Sequence, residues 1–206
     1  MLFPADYILF AFAVAVALVP VCRNAARRYG FVAKPRADRW HERPTALLGG
    51  VAIALTVLGL HVAIVGVTGL PVLLVAATAM FAIGLVDDIV SLRPTTKLVF
   101  EIAVASFLVF FNYRLGWVES LTLDTLLTVF WIVGLTNAFN LLDNMDGLCA
   151  GLAVVAGAGV LLAFTLHGIT GPQVTHLALI IGAAGGFLVY NFNPASIFMG
   201  DSGSLF

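Results

Sequence analysis

The sequence predicts an all-α, multi-pass membrane helix bundle of about seven transmembrane helices, with the N-terminus outside. Three observations support this fold class. Of the 206 residues, 61% are hydrophobic and only 10% are charged, and the mean hydropathy is +1.07. Soluble domains carry about 25% charged residues. Apolar runs near the length of a bilayer crossing recur along the chain, and the basic residues collect in alternate loops.

Seven apolar runs are the candidates for transmembrane helices, since a crossing needs roughly 20 apolar residues. They are residues 4–21, 46–67, 70–86, 98–111, 121–136, 148–166 and 174–190. The first run has no preceding positive charge and is followed by basic residues, which favours an uncleaved helix over a signal peptide. The fourth and fifth runs are short for a full crossing, so we expect the ends of the corresponding helices to differ from the ends of these runs by several residues. With no internal repeat or linker, residues 1–206 are predicted to form a single membrane domain.

The basic residues predict the orientation, because Lys and Arg are retained on the cytoplasmic side of short loops. With the N-terminus outside, nine of the ten basic residues fall inside and only Arg114 falls outside. The nine are Arg23, Arg27, Arg28, Lys34, Arg36, Arg39 and Arg43 in the first inner loop, and Arg93 and Lys97 in the second. Asp38 and Glu42 share that first loop and are interpreted as solvated partners of its cations.

Composition also excludes several functions. The net charge of −1 gives no basic excess for nucleic-acid binding. Cys22 and Cys149 lie far apart without metal-ligand spacing, so neither a disulfide framework nor a zinc site is predicted.

Five aspartates are predicted to meet at the inner membrane face. Asp87 and Asp88 end the third run, Asp143 and Asp146 lie between the fifth and sixth, and Asp201 follows the seventh. Adjacent carboxylates at a membrane boundary are costly unless they are used. Their oxygens suit a hard cation such as Mg²⁺, with Mn²⁺ as the alternative, and substrate phosphates complete the shell of such an ion. Helix capping remains the competing explanation for any single aspartate.

Four stretches of the chain resemble one known family. Residues 41–50 read HERPTALLGG, residues 84–88 read GLVDD with Lys97 downstream, residues 137–148 read NAFNLLDNMDGL and residues 190–204 read YNFNPASIFMGDSGS. Together they resemble the polyprenyl-phosphate N-acetylhexosamine-1-phosphate transferases. The first stretch is more similar to the WecA/TagO-type branch than to the related MraY branch. Family members are longer, so the chain resembles a C-terminally truncated member, and the activity of the isolated chain is left open.

The resemblance implies a reaction and its partners. A sugar 1-phosphate would pass from a UDP-N-acetylhexosamine to a polyprenyl phosphate such as undecaprenyl phosphate, with release of UMP. This is the first membrane step of cell-envelope glycan synthesis, for lipopolysaccharide or teichoic acid. The resemblance further implies an Mg²⁺-dependent enzyme of the cell (inner) membrane with its active site on the cytoplasmic face. It leaves a homodimer open.

The same resemblance assigns roles to individual residues. Asp201 and Asn140 match the metal-binding positions. The catalytic positions are Asp87, Asp88 and Lys97, and the substrate-binding positions are Asp143, Asp146, Asn191 and Phe198, the last as an aromatic that stacks on uracil.

Alternatives remain open at this stage. The donor could carry the muramoyl-pentapeptide of the MraY type, or the chain could be a non-catalytic truncated homologue. A transporter would place its acidic residues at mid-membrane depth. The GDSG tetrapeptide at residues 200–203 also occurs in trypsin-like proteases, which would need a partner histidine nearby. Lys97 could be a membrane anchor paired with Glu101 at i+4.

Overall fold

A computed structural model describes residues 3–33 and 45–206. Within these residues the chain forms seven helices of 16 to 26 residues and one short helix. They are α1 (Pro4–Tyr29), α2 (Gly49–Ile64), α3 (Pro71–Val90), α4 (Pro94–Phe110), α5 (Leu121–Leu142), α6 (Leu148–Leu166), α7 (Pro172–Asn191) and α8 (Asp201–Ser204). Two short strands, β1 (Val32–Ala33) and β2 (Thr45–Ala46), pair antiparallel. Asp38, Glu42 and the first four residues of the HERPTALLGG stretch, 41–44, lie outside the described residues.

The predicted membrane bundle is confirmed, and each apolar run corresponds to one helix. Five helices of the described chain are long and apolar enough to cross a membrane: α1, α3, α5, α6 and α7. Helix α2 has only 16 residues and α4 only 17, which is close to the lower limit of the length that a crossing needs. Four of the seven long helices begin with proline at the first helical position, where the missing N–H costs nothing.

Helices α3, α4 and α5, which carry candidate site residues, extend further toward the predicted inner face than their apolar runs. Helix α5 continues past residue 136 to Leu142, so Asn140 is helical. Helix α3 continues to Val90 and includes both paired aspartates, and α4 begins at Pro94, which places Lys97 in its first turn. The apolar runs are shorter than the helices because each run ends at the first polar residue. The helical backbone continues through such residues.

Helix α7 is the central element and contacts α1, α2 and α6. Its contact with α1 is close because Gly182 and Gly186 carry no side chain. A Cβ on Gly182 would lie 2.3 Å from the carbonyl oxygen of Ile8, and one on Gly186 would lie 2.6 Å from that of Phe12. Small residues at such positions allow helix backbones to approach each other in a bilayer.

The segment between α7 and α8 is tied to the start of α2. The backbone N–H of Phe198 donates to Ala46, and those of Gly49 and Gly50 donate to the carbonyls of Phe198 and Met199 at 3.0 and 2.8 Å. Ile197 forms a parallel bridge with Ala46. These contacts hold α8 at the end of the bundle where α3 and α5 end and α4 begins.

Candidate active site

Four polar residues from four helices meet at this end of the bundle. Asp87 lies in the last turn of α3, Lys97 in the first turn of α4, Asn140 near the end of α5, and Asp201 opens α8. All four were predicted as site residues. Their convergence follows from the alternating direction of α3, α4 and α5, which brings an end of each helix to the same face.

The Lys97 ammonium is the centre of the cluster. Its Nζ donates to Oδ2 of Asp87 at 3.2 Å, to Oδ1 of Asn140 at 3.3 Å, and to Oδ2 of Asp201. A lysine has three N–H donors, so each has an acceptor. The side chains of Lys97 and Asp87 are only 15% and 14% exposed, so this ion pair is poorly screened by solvent.

Asn140 links the cluster to α8. Its Nδ2 donates to Oδ1 of Asp201 at 2.9 Å and to Oγ of Ser204 at 2.8 Å. With its amide oxygen directed at Lys97, the orientation of the whole side chain is fixed. Ser204 was not among the predicted site residues, and only its place in the DSGS stretch could have suggested it.

The Asp201 carboxylate is held in its charged form. Burial raises the pKa of this carboxyl, but hydrogen bonding with Asp87, Lys97 and Asn140 lowers the pKa by a larger amount. The net pKa therefore lies below its ordinary value. Asp201 is therefore ionised at neutral pH and is available as an oxygen ligand.

Asp88 and Asp143 act on the backbone that carries Asp201. The two oxygens of Asp88 accept from the N–H groups of Asp201 and Ser202 at 2.8 and 3.0 Å, and Oδ2 of Asp143 accepts from the N–H of Gly200 at 3.1 Å. Negative charge at the start of a helix also complements its dipole. Both residues thus shape the turn on which Asp201 sits.

Asp146 and Asn191 hold neighbouring loops. Oδ2 of Asp146 accepts from Nδ2 of Asn193 and from the N–H of Ala195. Asn191 is 2% exposed; its Oδ1 accepts from the N–H of Gly147 and its Nδ2 donates to the carbonyl of Ile197. The structure thus gives both side chains loop-bracing partners and does not bring either into hydrogen-bond contact with Lys97.

Phe198 lies on the segment before α8, with its side chain half-buried and its backbone bound to Ala46 and Gly49.

Two glycines let α8 sit directly on the bundle. A Cβ on Gly84 would lie 2.2 Å from the carbonyl oxygen of Asp201, and one on Gly50 would lie 2.1 Å from the nitrogen of Gly203. Any side chain at these positions would push α8 away from Lys97.

The donor set fits a hard cation by its chemistry. Asp201 and Asn140 offer carboxylate and amide oxygens, which suit Mg²⁺ and not zinc. Within residues 3–33 and 45–206 no group of three or more His, Cys, Asp or Glu side chains is arranged to hold a metal ion. In the present arrangement the Lys97 ammonium contacts the same oxygens.

One part of the anchor explanation for Lys97 is wrong, namely its pairing with Glu101. Lys97 pairs with Asp87 and Asp201, while Glu101 accepts from Asn137 on α5. Tertiary partners have displaced the local i+4 pair. Within the described residues the protease explanation finds no support, because His61 and His176 pair near the ends of α2 and α7 that lie opposite the GDSG stretch.

A comparison with known protein families identifies the chain. The family model described as glycosyl transferase family 4 matches residues 70–206, which include every member of the cluster. The chain belongs to glycosyl transferase family 4. The resemblance inferred from the four sequence stretches is therefore confirmed.

Curated relatives of this family 4 chain carry related names. It is 35% identical to a probable undecaprenyl-phosphate N-acetylglucosaminyl 1-phosphate transferase of Bacillus subtilis, over 92% of the chain and 56% of the relative. It is 35% identical to a decaprenyl-phosphate N-acetylglucosaminephosphotransferase of Mycobacterium tuberculosis, over 89% of the chain and 52% of that relative. A phospho-N-acetylmuramoyl-pentapeptide-transferase of Lactobacillus delbrueckii is also 35% identical, over 84% of the chain and 62% of its own length. The chain spans about half the length of the first two.

Proposed function

We propose that this family 4 chain carries the catalytic centre of a transferase that moves N-acetylglucosamine 1-phosphate from a UDP-sugar to a polyprenyl phosphate. The observation that supports this most strongly is the cluster of Asp87, Lys97, Asn140 and Asp201 at one end of a membrane bundle. A lipid phosphate at the bilayer surface and a nucleotide from solution can both reach such an end. The names of the relatives support the same acceptor and donor classes.

In the proposed reaction, an oxygen of the polyprenyl phosphate attacks the β-phosphorus of the UDP-sugar. The bond from that phosphorus to the oxygen bridging the α-phosphate breaks, and UMP leaves with the bridging oxygen. The product is a polyprenyl diphosphate sugar. Such transfers need charge neutralisation and positioning more than a protein nucleophile.

Asp201 and Asn140 are the residues that would hold Mg²⁺ in this proposal. When bound there, such an ion would supply positive charge to offset the negative charge of the phosphates. Asn140 is kept in place by Ser204, and Asp201 by the backbone hydrogen bonds that Asp88 accepts. These partners fix the direction of the ligand oxygens, as second-layer groups commonly do at metal sites.

Lys97 and Asp87 are proposed to act on the phosphates directly. The ammonium is compact and its donors rotate, so it can exchange the carboxylates for phosphate oxygens when substrate binds. Asp87 orients Lys97 and, next to the entering phosphate, can accept a proton if the phosphate arrives protonated. Phosphate monoesters are already largely ionised near pH 7, so orientation is the larger contribution.

We assign the remaining predicted residues to the donor side. Asp143, Asp146 and Asn191 brace the loops that precede α6 and α8. The half-buried Phe198 is proposed to stack on the uracil of the donor. The site end is proposed to face the cytoplasm across the cell (inner) membrane. Arg27 and Arg28 occupy the last turn of α1 at this end, which agrees with the retention of positive charge inside.

A donor comparison tests the proposed function. The protein in detergent with undecaprenyl phosphate and Mg²⁺ is given UDP-N-acetylglucosamine or UDP-N-acetylmuramoyl-pentapeptide, and UMP release is measured. We expect release with the first donor only, and its loss when EDTA removes the ion. Release with the second donor only would transfer the proposal to the pentapeptide class, which the Lactobacillus relative represents.

A further inference from the structure

Glu101 is a buried carboxyl outside the cluster that the proposed function uses. It lies on α4, its side chain is 2% exposed, and one oxygen, Oε2, accepts from Nδ2 of Asn137 on α5. The other oxygen, Oε1, is buried and has no hydrogen-bond partner. Burying a carboxyl with a single donor is costly, so its presence in an apolar helix calls for a role.

The position of Glu101 relates it to the cluster. It lies four residues after Lys97 on α4, and Asn137 lies three residues before Asn140 on α5. Residues three or four apart share one helix face. Helices α4 and α5 are thus joined by two successive polar contacts: Lys97 with Asn140 at 3.3 Å, and Glu101 with Asn137 one turn deeper in the bundle.

Below these contacts the buried face of α4 continues as Ala105 and Val109, which are apolar. An apolar interface has little directional preference, so it would permit α4 to rotate or slide against α5. A directional hydrogen bond between buried side chains specifies one register, as buried polar pairs do in some helix bundles. Asn137 is itself fixed, because its Nδ2 also donates to the carbonyl of Val133 at 2.9 Å.

We propose that Glu101 and Asn137 are positioning residues that set the register of α4 against α5 and so place Lys97 and Asn140 on Asp201. The inference rests on the proposed function for its effect on turnover. The three acceptors of Lys97 are Asp87, Asn140 and Asp201, and Glu101 is not among them. Glu101 acts on Lys97 indirectly, by fixing α4 against α5. The pair requires an acceptor at residue 101, not a negative charge.

The test uses the double variant E101L/N137L, with E101Q as the conservative control. Replacing both partners by apolar groups of similar size is often neutral for stability. We therefore expect the double variant to retain its melting temperature and its KM for the UDP-sugar, while kcat falls at least about tenfold, because small misplacements of reacting groups are costly. E101Q keeps an acceptor for Asn137 and should retain kcat.

A second readout does not depend on turnover. Acylation of Lys97 by an amine reagent is followed by mass spectrometry, with Lys34, the other lysine of the sequence, as the internal reference. In the unaltered protein, Lys97 must be released from its acceptors before it can react. It should therefore react at least about threefold faster in the double variant. Glu101→Met, which is flexible and of similar length, replaces the double variant if that protein does not fold.

The outcomes separate the two proposals. Absence of transferase turnover in the unaltered protein would contradict the proposed function, and Lys97 acylation would still test the positioning pair. Unchanged Lys97 acylation in the double variant would overturn the positioning role, whatever happens to kcat. Loss of kcat in E101Q equal to that in the double variant would overturn it as well, because charge and not register would then be required.

Discussion

Asp88 holds Asp201 by its backbone: Oδ1 of Asp88 accepts from the N–H of Asp201 at 2.8 Å, and its other oxygen accepts from the next N–H along the chain. The adjacent Asp87 uses one oxygen for the Lys97 ammonium and the other for the N–H of Leu92. Two neighbouring aspartates therefore have different tasks. Asp87 contacts the charged cluster, and Asp88 fixes the turn that carries Asp201.

The Asp88→Asn variant should lose both stability and activity. Asparagine has one amide oxygen, so one of the two N–H groups at the start of α8 loses its acceptor and faces an NH₂ group. An unsatisfied buried donor costs about 1–3 kcal/mol. Thermal unfolding in detergent checks the loss, and an unchanged melting temperature would show that α8 does not depend on this carboxylate.

The Asp201→Asn variant should behave differently. Its backbone contacts with Asp88 do not involve the altered side chain, so the protein should fold, whereas turnover should fall at least roughly a hundredfold, as loss of electrostatic stabilisation commonly causes. UMP release and melting temperature are measured together. Glu119→Gln, at an exposed carboxylate between α4 and α5, is the control and should leave both unchanged. Near-normal turnover in Asp201→Asn would refute the metal assignment.

The convergence of Asp87, Lys97 and Asp201 could be predicted from the sequence, because a helix count and a charge rule fix which loops share a face. The task of Asp88 could not. It depends on the seating of α8 against Gly50 and Gly84, which is a tertiary contact without local signal.

The extension of α5 was missed for a related reason. Asn137 and Asn140 interrupt the apolar pattern, yet both are satisfied by partners on other helices and do not end the helix. From the sequence alone, Glu101 is predicted only to be the local partner of Lys97. A carboxylate within an apolar run could have marked it as a residue with a role of its own.

Lys97→Arg should insert normally and lose activity. The guanidinium is planar and larger than an ammonium, so it cannot direct three donors from one nitrogen toward Asp87, Asn140 and Asp201. We expect turnover to fall at least about tenfold, with Lys97→Ala no better. Arg93→Lys, at the exposed residue that precedes α4, is the matched control. Full turnover in Lys97→Arg would return this lysine to the role of an anchor.

Cysteine accessibility should place the site end of the bundle in the cytoplasm. In a background with Cys22 and Cys149 replaced, a cysteine at Ser91 should react with an impermeant maleimide only after the cells are opened. One at Glu119 should react in intact cells, because α4 separates the two positions. Both positions are exposed, so burial does not limit labelling. Reaction of both from the same side would contradict the membrane crossing of α4.

The central claim is that the sugar moves together with its phosphate, and the fate of the β-phosphorus tests it most directly. The protein is incubated with undecaprenyl phosphate, Mg²⁺ and UDP-N-acetylglucosamine that carries ³²P at the β-position. The account predicts that the label enters the lipid fraction while unlabelled UMP is released, and that Asp201→Asn abolishes both. Label that remains with the nucleotide as UDP, while the sugar reaches the lipid, would contradict it.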